Sequence, residues 1–205
     1  MIPFLMPEFT KHIDIEDVTC LLELGARDGH YTKNLLDFYR PEKLFSIDAN
    51  PNAKQTIENS VASLEQVTFS SIALSDEVGE VSFYLNLDCP GSSSVHNHPT
   101  CKTRHITVPA TTLDLFCEDN NISRLDLICA DVEGAEPQIF KNQKILHTTK
   151  YIISECKFDK SWKGNDFPGL SNLKESLEPF GFEMVEVVYA APGKEFGDTL
   201  WVKTK

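Results

Sequence analysis

The sequence predicts an α/β fold: a mostly parallel central sheet with helices on both faces, closed by a C-terminal antiparallel hairpin, in one domain over residues 1–205. Three observations predict it. Short apolar runs alternate with amphipathic stretches through five units. The turn after the first run holds two glycines, and the second run ends on an acid. The last two apolar runs follow one another with no helical stretch between them, so they pair as a hairpin.

Taken in order, residues 18–24 form a buried strand, and residues 30–39 a helix with Tyr31, Asn34, Leu35 and Phe38 on one side, ended by Pro41. Residues 43–48 are the second strand. Pro51 opens a second helix that runs to Val61. Residues 67–74 are the third strand. Residues 80–85 alternate like a strand. Residues 86–103 are a loop rich in Gly, Ser, Pro and His, and 106–109 a short strand. A helix over 111–120 leads to a fourth main strand at 125–131, a helix at 137–147 and a fifth strand at 151–155. The segment 158–169 is a polar loop holding Trp162. A helix over 170–180 stops at Gly181, and the hairpin pairs 182–189 with 199–203.

Composition narrows the function classes. The chain has 205 residues, 41% hydrophobic and 24% charged, enough to bury a core. Nineteen Lys and Arg against 31 Asp and Glu give a net charge of −12, which disfavours nucleic acid as a partner. No apolar run reaches the roughly 18 residues of a membrane helix, and the prolines and missing basic residues of the first segment argue against a signal peptide. The six cysteines form no CxxC pair, and Cys20, Cys129 and Cys156 lie inside apolar runs. The expectation is a reduced, cytoplasmic protein.

In a parallel sheet, ligands bind at the carboxyl ends of the strands. The first such loop reads Glu23-Leu24-Gly25-Ala26-Arg27-Asp28-Gly29. Gly25 permits a tight turn and Gly29 opens the next helix. The nicotinamide-type G-x-G-x-x-G pattern fails, because Arg27 and His30 stand where its second and third glycines belong. Asp48, at the end of the second strand, suits both ribose hydroxyls of a nucleoside. Turn glycines and a helix cap would also explain these residues singly; their combination favours nucleoside binding.

These residues also carry a resemblance. Glu23 to Thr32 resembles motif I of class I S-adenosylmethionine (SAM) methyltransferases, and most of all the FkbM family's acid-x-Gly-Ala-Asn-x-Gly-x-Tyr-Thr. Ser46-Ile47-Asp48-Ala49-Asn50-Pro51, the stretch 72–84, Gly91-Ser92-Ser93-Ser94, the stretch 108–114 and Asp131-Val132-Glu133-Gly134-Ala135-Glu136 resemble its later blocks in order. Arg27 replaces the usual Asn, and Asp28 an apolar residue. The resemblance implies a Rossmann-like class I methyltransferase fold with SAM as cofactor. Gly25, Ala26 and Gly29 would face its methionine portion, with Tyr31 and Thr32 in the same block. Glu23 would lie near its ammonium, Asp48 and Ala49 at the ribose, Ser71 and Ile72 at the adenine, and Asp131 near the methyl.

Asp131, Glu133 and Glu155 end adjacent strands. They have two candidate roles: oxygen ligands for Mg²⁺, chiefly Asp131 and Glu155, or a general base. His96 is a candidate base, since imidazole titrates near neutrality. His96, His98, Cys101 and His105 suit zinc by type, but their spacing matches no standard finger. Ser93, Ser94 and His98 are candidate acceptor contacts, as are Trp162 by stacking and Lys157 and Lys160 by charge. The reading is O-methylation of a hydroxyl on a small molecule or glycan. N-methylation, a non-catalytic SAM-binding module and, more weakly, a nicotinamide oxidoreductase stay open, as does homo-oligomerisation.

Overall fold

The computed structural model describes residues 2–98, 100–158, 168–190 and 195–204. A short N-terminal helix α1 (Pro7–Thr10) precedes β1 (Cys20–Leu24), α2 (His30–Tyr39), β2 (Lys43–Ile47), α3 (Lys54–Val61) and β3 (Val67–Ser70). Then come β4 (Ala73–Ser75), β5 (Gly79–Asn86), β6 (Thr103–Thr112), α4 (Leu113–Asp119), β7 (Leu127–Ala130), α5 (Glu136–Phe140) and β8 (Tyr151–Lys157). The chain closes with α6 (Leu170–Leu177), β9 (Phe182–Tyr189) and β10 (Phe196–Lys203).

Seven strands form the main sheet in the order β3-β2-β1-β7-β8-β10-β9. β3, β2, β1, β7 and β8 run parallel, and β10 is antiparallel to both β8 and β9. The chain builds outward from β1 through β2 to β3, then returns to place β7 on the other side of β1, and that switch point is where a ligand cleft opens. Side-chain alternation divides the core between the two faces. Leu22 and Leu24 join Phe45, Phe116, Ile128, Phe140 and Trp201 on one side. Leu21 joins Phe9, Leu35, Leu44, Cys129 and Ile153 on the other. A parallel sheet covered on both faces needs such continuous apolar strands. Among the described residues, no helix is long and apolar enough to cross a membrane.

The structure departs from the sequence expectation in three places. The stretch 67–74 is not one strand: β3 ends at Ser70, and Ala73–Ser75 moves to a second sheet of order β4-β6-β5. β6 is ten residues long where four were expected, because its alternate residues face solvent while Val108 and Ala110 are buried. The helix expected over 137–147 stops at Phe140 and resumes as a 3₁₀ turn at Lys144–His147. Asn142 adopts φ 58°, and the Asp114 carboxylate accepts from the amides of Lys144 and Ile145 at 2.8 Å each, a local cap that outcompetes helix continuation.

At the opposite end of the sheet from the switch point, Asp126 ties β7 to the start of β1. Its Oδ2 accepts from the Thr19 amide, the Thr19 hydroxyl and the Cys20 amide at 3.0, 2.8 and 2.9 Å, and Arg124 Nε lies 3.0 Å from Oδ1. Burial raises the pKa of this carboxyl, but the Thr19 hydroxyl, the two amides and Arg124 outweigh it, so the net shift is downward. A depressed carboxylate stabilises the fold above its unfolded pKa, and that stability is lost as pH falls through the folded value. Asp126→Asn is expected to cost about 2 kcal/mol at neutral pH and to flatten the acid limb of stability. Urea titrations at pH 7 and pH 3 check this; equal loss at both would contradict it.

Candidate active site

Four strand ends converge above the switch point. The amides of Gly25 and Ala26 both donate to Ile47 O, at 2.9 and 3.1 Å, and the Asp131 amide donates to Leu24 O at 3.0 Å. These bonds bring the loops after β1, β2 and β7 together. Gly25 has φ +91°, and a Cβ there would meet Asp131 O at 2.0 Å. Only glycine allows this approach. Asp48 accepts from the Arg27 amide at 2.7 Å and the Asn50 amide at 2.8 Å, so one carboxylate staples the first loop to the second. Burial pushes its pKa up, against the pull of those two amides.

A cavity of about 520 Å³ opens between these loops and the insertion loop after β5. Of the sequence-predicted residues, Gly25, Tyr31, Asp48, Ala49, Ile72, Ser93, Asp131 and Glu133 line it. Its lining combines apolar side chains, Leu74, Phe83, Val95 and Ile139 among them, with the acids Asp28, Asp48, Asp131 and Glu133. The 3₁₀ turn Pro90–Ser92 forms part of the rim.

Other predicted residues lie elsewhere. Glu23 turns away from the cavity, beneath α2, because alternation along β1 points it opposite Leu22 and Leu24. Its Oε2 accepts from the hydroxyls of Thr32 at 2.6 Å and Ser46 at 2.8 Å. Complete burial, outweighing those two hydroxyls, raises its pKa to about 7. Glu23 and Thr32 thus lock α2 to the sheet, and neither lines the cavity. Ala26 is fully buried and Gly29 packs against Ser60; both shape the loop from behind. Ser71 borders the turn before Ile72 but does not line the cavity. His98 engages Thr100 within the insertion loop, 3.2 Å from its hydroxyl. Trp162 and Lys160 lie outside the described residues. Lys157 is buried in β8.

The three acids do meet. One carboxylate oxygen from each of Asp131, Glu133 and Glu155 lies within 4.8 Å of the others. Glu133 reaches this position through a left-handed backbone, φ 58°, followed by Gly134 at φ 100°. The bend is held from both sides. Glu136 accepts from the amides of Val132 at 2.9 Å and Gly134 at 3.0 Å, while Ser94 Oγ donates to Glu133 O at 2.8 Å. His96 Nε2 lies 3.1 Å from Gly134 O, an acceptor, so the imidazole donates there. His96 and Ser94 therefore brace the acidic loop from the insertion loop rather than line the cavity.

Sequence reasoning missed Asp198. Strand register sets it directly opposite Glu155, and it is buried. Burial first, then the Asp131 charge, raises its pKa to about 7; burial, Asp131, Glu136 and Asp198 push Glu155 well above the ordinary carboxylate range. The sequence pattern starts this strand at residue 199; β10 begins at Phe196, and those three extra residues bring Asp198 into register with Glu155.

The family model described as the methyltransferase FkbM domain matches residues 23–186. The chain belongs to the FkbM methyltransferase family. This FkbM chain is 24% identical over 200 residues to the 2-O-methyltransferase NoeI of Sinorhizobium fredii, covering 90% of this chain and 79% of NoeI. Its fold is similar to fibrillarin from Methanococcus jannaschii (TM-score 0.54, 17% identity, 94% of this chain and 70% of that one). It is also similar to the N-methyltransferase NodS of Bradyrhizobium japonicum bound to S-adenosylhomocysteine (TM-score 0.52, 13% identity, 92% and 79%). This FkbM protein is a SAM-dependent methyltransferase with the class I fold. The cavity lining fits that cofactor in chemistry: it offers an acid for ribose hydroxyls, apolar side chains for a purine, and acids for a cationic centre.

Proposed function

We propose that this enzyme methylates a hydroxyl group of a small molecule or glycan. The observation that carries the reading is the meeting of Asp131, Glu133 and Glu155 beside the cavity. When bound, SAM supplies an electrophilic methyl carbon on a sulfonium. A hydroxyl attacking that carbon must lose its proton, and a carboxylate within reach accepts it. Asp131 is the base. The half-buried Glu155, just behind the cavity lining and pushed toward its protonated form by desolvation and the neighbouring acids, donates a hydrogen bond that orients the acceptor oxygen. Gly25, Asp48 and Ala49 hold the cofactor, while Ser93, whose hydroxyl donates to Pro90 O at 2.8 Å and accepts from the Asn86 amide at 3.1 Å, fixes the insertion-loop wall of the cavity instead of offering a free hydroxyl to a polyol. The relationship to NoeI supports a hydroxyl acceptor.

Methyl transfer from radiolabelled SAM to matched panels of hydroxylated glycans and amines tests this. Label in glycans, stable to acid and base as ethers are, is the expected outcome; label confined to amines would replace the reading with N-methylation. The three carboxylates would also suit Mg²⁺, which takes oxygen ligands. Turnover is expected to survive EDTA; loss restored by Mg²⁺ would assign the acids to a metal instead.

A further inference from the structure

We propose that Arg27 binds the methionine carboxylate of SAM and that Gly91 of the insertion loop holds its guanidinium in place. The inference rests on the SAM-dependent reading and adds a residue-level assignment to it.

The argument begins with charge. Among the described residues, four carboxylates line the cavity, those of Asp28, Asp48, Asp131 and Glu133, and one cation does, that of Arg27. SAM carries a sulfonium, an ammonium and a single carboxylate. The acids suit its two cationic groups. Its carboxylate, entering so acidic a cavity in a chain of net charge −12, needs a positive partner, and among the described lining residues Arg27 supplies it. Among the described residues no ion pair involves the Arg27 guanidinium; the cations in those pairs are Lys11, His12, Lys54, Arg124 and Lys150.

Geometry adds a second support. The Arg27 backbone is fixed: it sits at φ 56°, and its amide donates to Asp48 at 2.7 Å. The residue that would carry carboxylate recognition is thus tied directly to the acid suited to the ribose. Its side chain lies flat against the insertion loop. A Cβ at Gly91 would come 2.7 Å from Arg27 Nε and 2.9 Å from Cζ. Gly91 has no left-handed φ, so its backbone accepts alanine; a methyl there would displace the guanidinium. The loop and the cation are therefore coupled, and the absence of a side chain at 91 is what admits the arginine.

Calorimetric titration with S-adenosylhomocysteine and 5′-methylthioadenosine tests the assignment. Both ligands carry adenosine and a thioether; only the first carries the amino-acid portion. Arg27→Gln is expected to weaken S-adenosylhomocysteine about tenfold or more, and methylthioadenosine less than twofold. Arg27→Lys should lose less than Arg27→Gln. Gly91→Ala should give the same selective loss, smaller in size, and adding it to Arg27→Gln should cost nothing further, because the group it displaces is gone. Equal weakening of both ligands, or no weakening of either, would overturn the proposal. In the latter case an acidic group on the acceptor becomes the partner to seek, because Arg27 also lines an outer cavity of about 350 Å³ with Tyr31 and His30. Wild-type protein that binds neither ligand would defeat the SAM reading itself; wild-type binding that Arg27→Gln leaves untouched would defeat only this assignment.

Discussion

Gly25→Ala is expected to abolish measurable SAM binding and to destabilise the fold severely. Two independent costs add at that position. The backbone adopts φ +91°, outside the range an L-residue occupies readily, for about 1–2 kcal/mol. The new methyl would also lie 2.0 Å from Asp131 O, a backbone atom that cannot swing aside. Relieving that overlap means separating the ends of β1 and β7, an overpacking cost of about 1–3 kcal/mol. The sum is a large share of the roughly 5–15 kcal/mol by which a domain is stable. The functional loss exceeds what stability alone predicts, because the shift moves Asp131 and the Gly25 loop, which face the same cavity. Gly79→Ala separates the two costs: Gly79 has φ +144° with nothing within 4 Å of its Cβ position. It should show strain without lost binding. Urea unfolding and titration with S-adenosylhomocysteine on both variants read the difference. If Gly25→Ala binds like wild type, the close approach of the two strand ends is not what builds the cofactor cavity.

The parts of the fold that repeat a local pattern were legible in the sequence. β1 is a run of leucines, α2 carries Leu35 and Tyr39 one helical turn apart, and its end is marked by Pro41. The glycine at 25, the acid at 48 and the acid at 131 are legible for the same reason, since each sits at the end of a recognisable strand. What hides is whatever depends on partners distant in sequence. The chain leaves the main sheet at Ser71 and Ile72 with no Gly or Pro to mark the bend, so the second sheet is invisible until β4 is seen beside β6. Asp198 acquires meaning only when register sets it against Glu155. His96 and Ser94 read as reactive or substrate-facing side chains. Their place is instead set by the carbonyls of Glu133 and Gly134, which are turned toward them by a left-handed bend. Glu23 is a different case: period-two alternation already places it opposite Leu22 and Leu24, and only the family resemblance drew it toward the cofactor.

Asp131→Asn is expected to leave affinity for S-adenosylhomocysteine within a few-fold and to lower turnover about 10²- to 10⁴-fold, the range that loss of a general base produces. The two effects separate because Asp131 serves the site in two ways. Its backbone closes the β1–β7 pair, donating to Leu24 O at 3.0 Å and offering the carbonyl against which Gly25 packs. Asparagine preserves all of that and nearly the same side-chain volume. Only the charge and the capacity to take a proton disappear. In the proposed mechanism Asp131 rather than Glu155 is the base, because burial and the neighbouring acids push Glu155 toward its neutral form. Removing the Asp131 charge also removes one of the influences that raises Glu155, so a compensating base is at hand. Residual turnover in Asp131→Asn should therefore fall further when Glu155→Gln is added, whereas Glu155→Gln alone should cost less than Asp131→Asn alone. Single-turnover rates on an established acceptor, measured beside the binding constants, decide this. Unchanged turnover in Asp131→Asn would remove it from the chemistry, and the three acids would then be read as an electrostatic seat for the cationic sulfur.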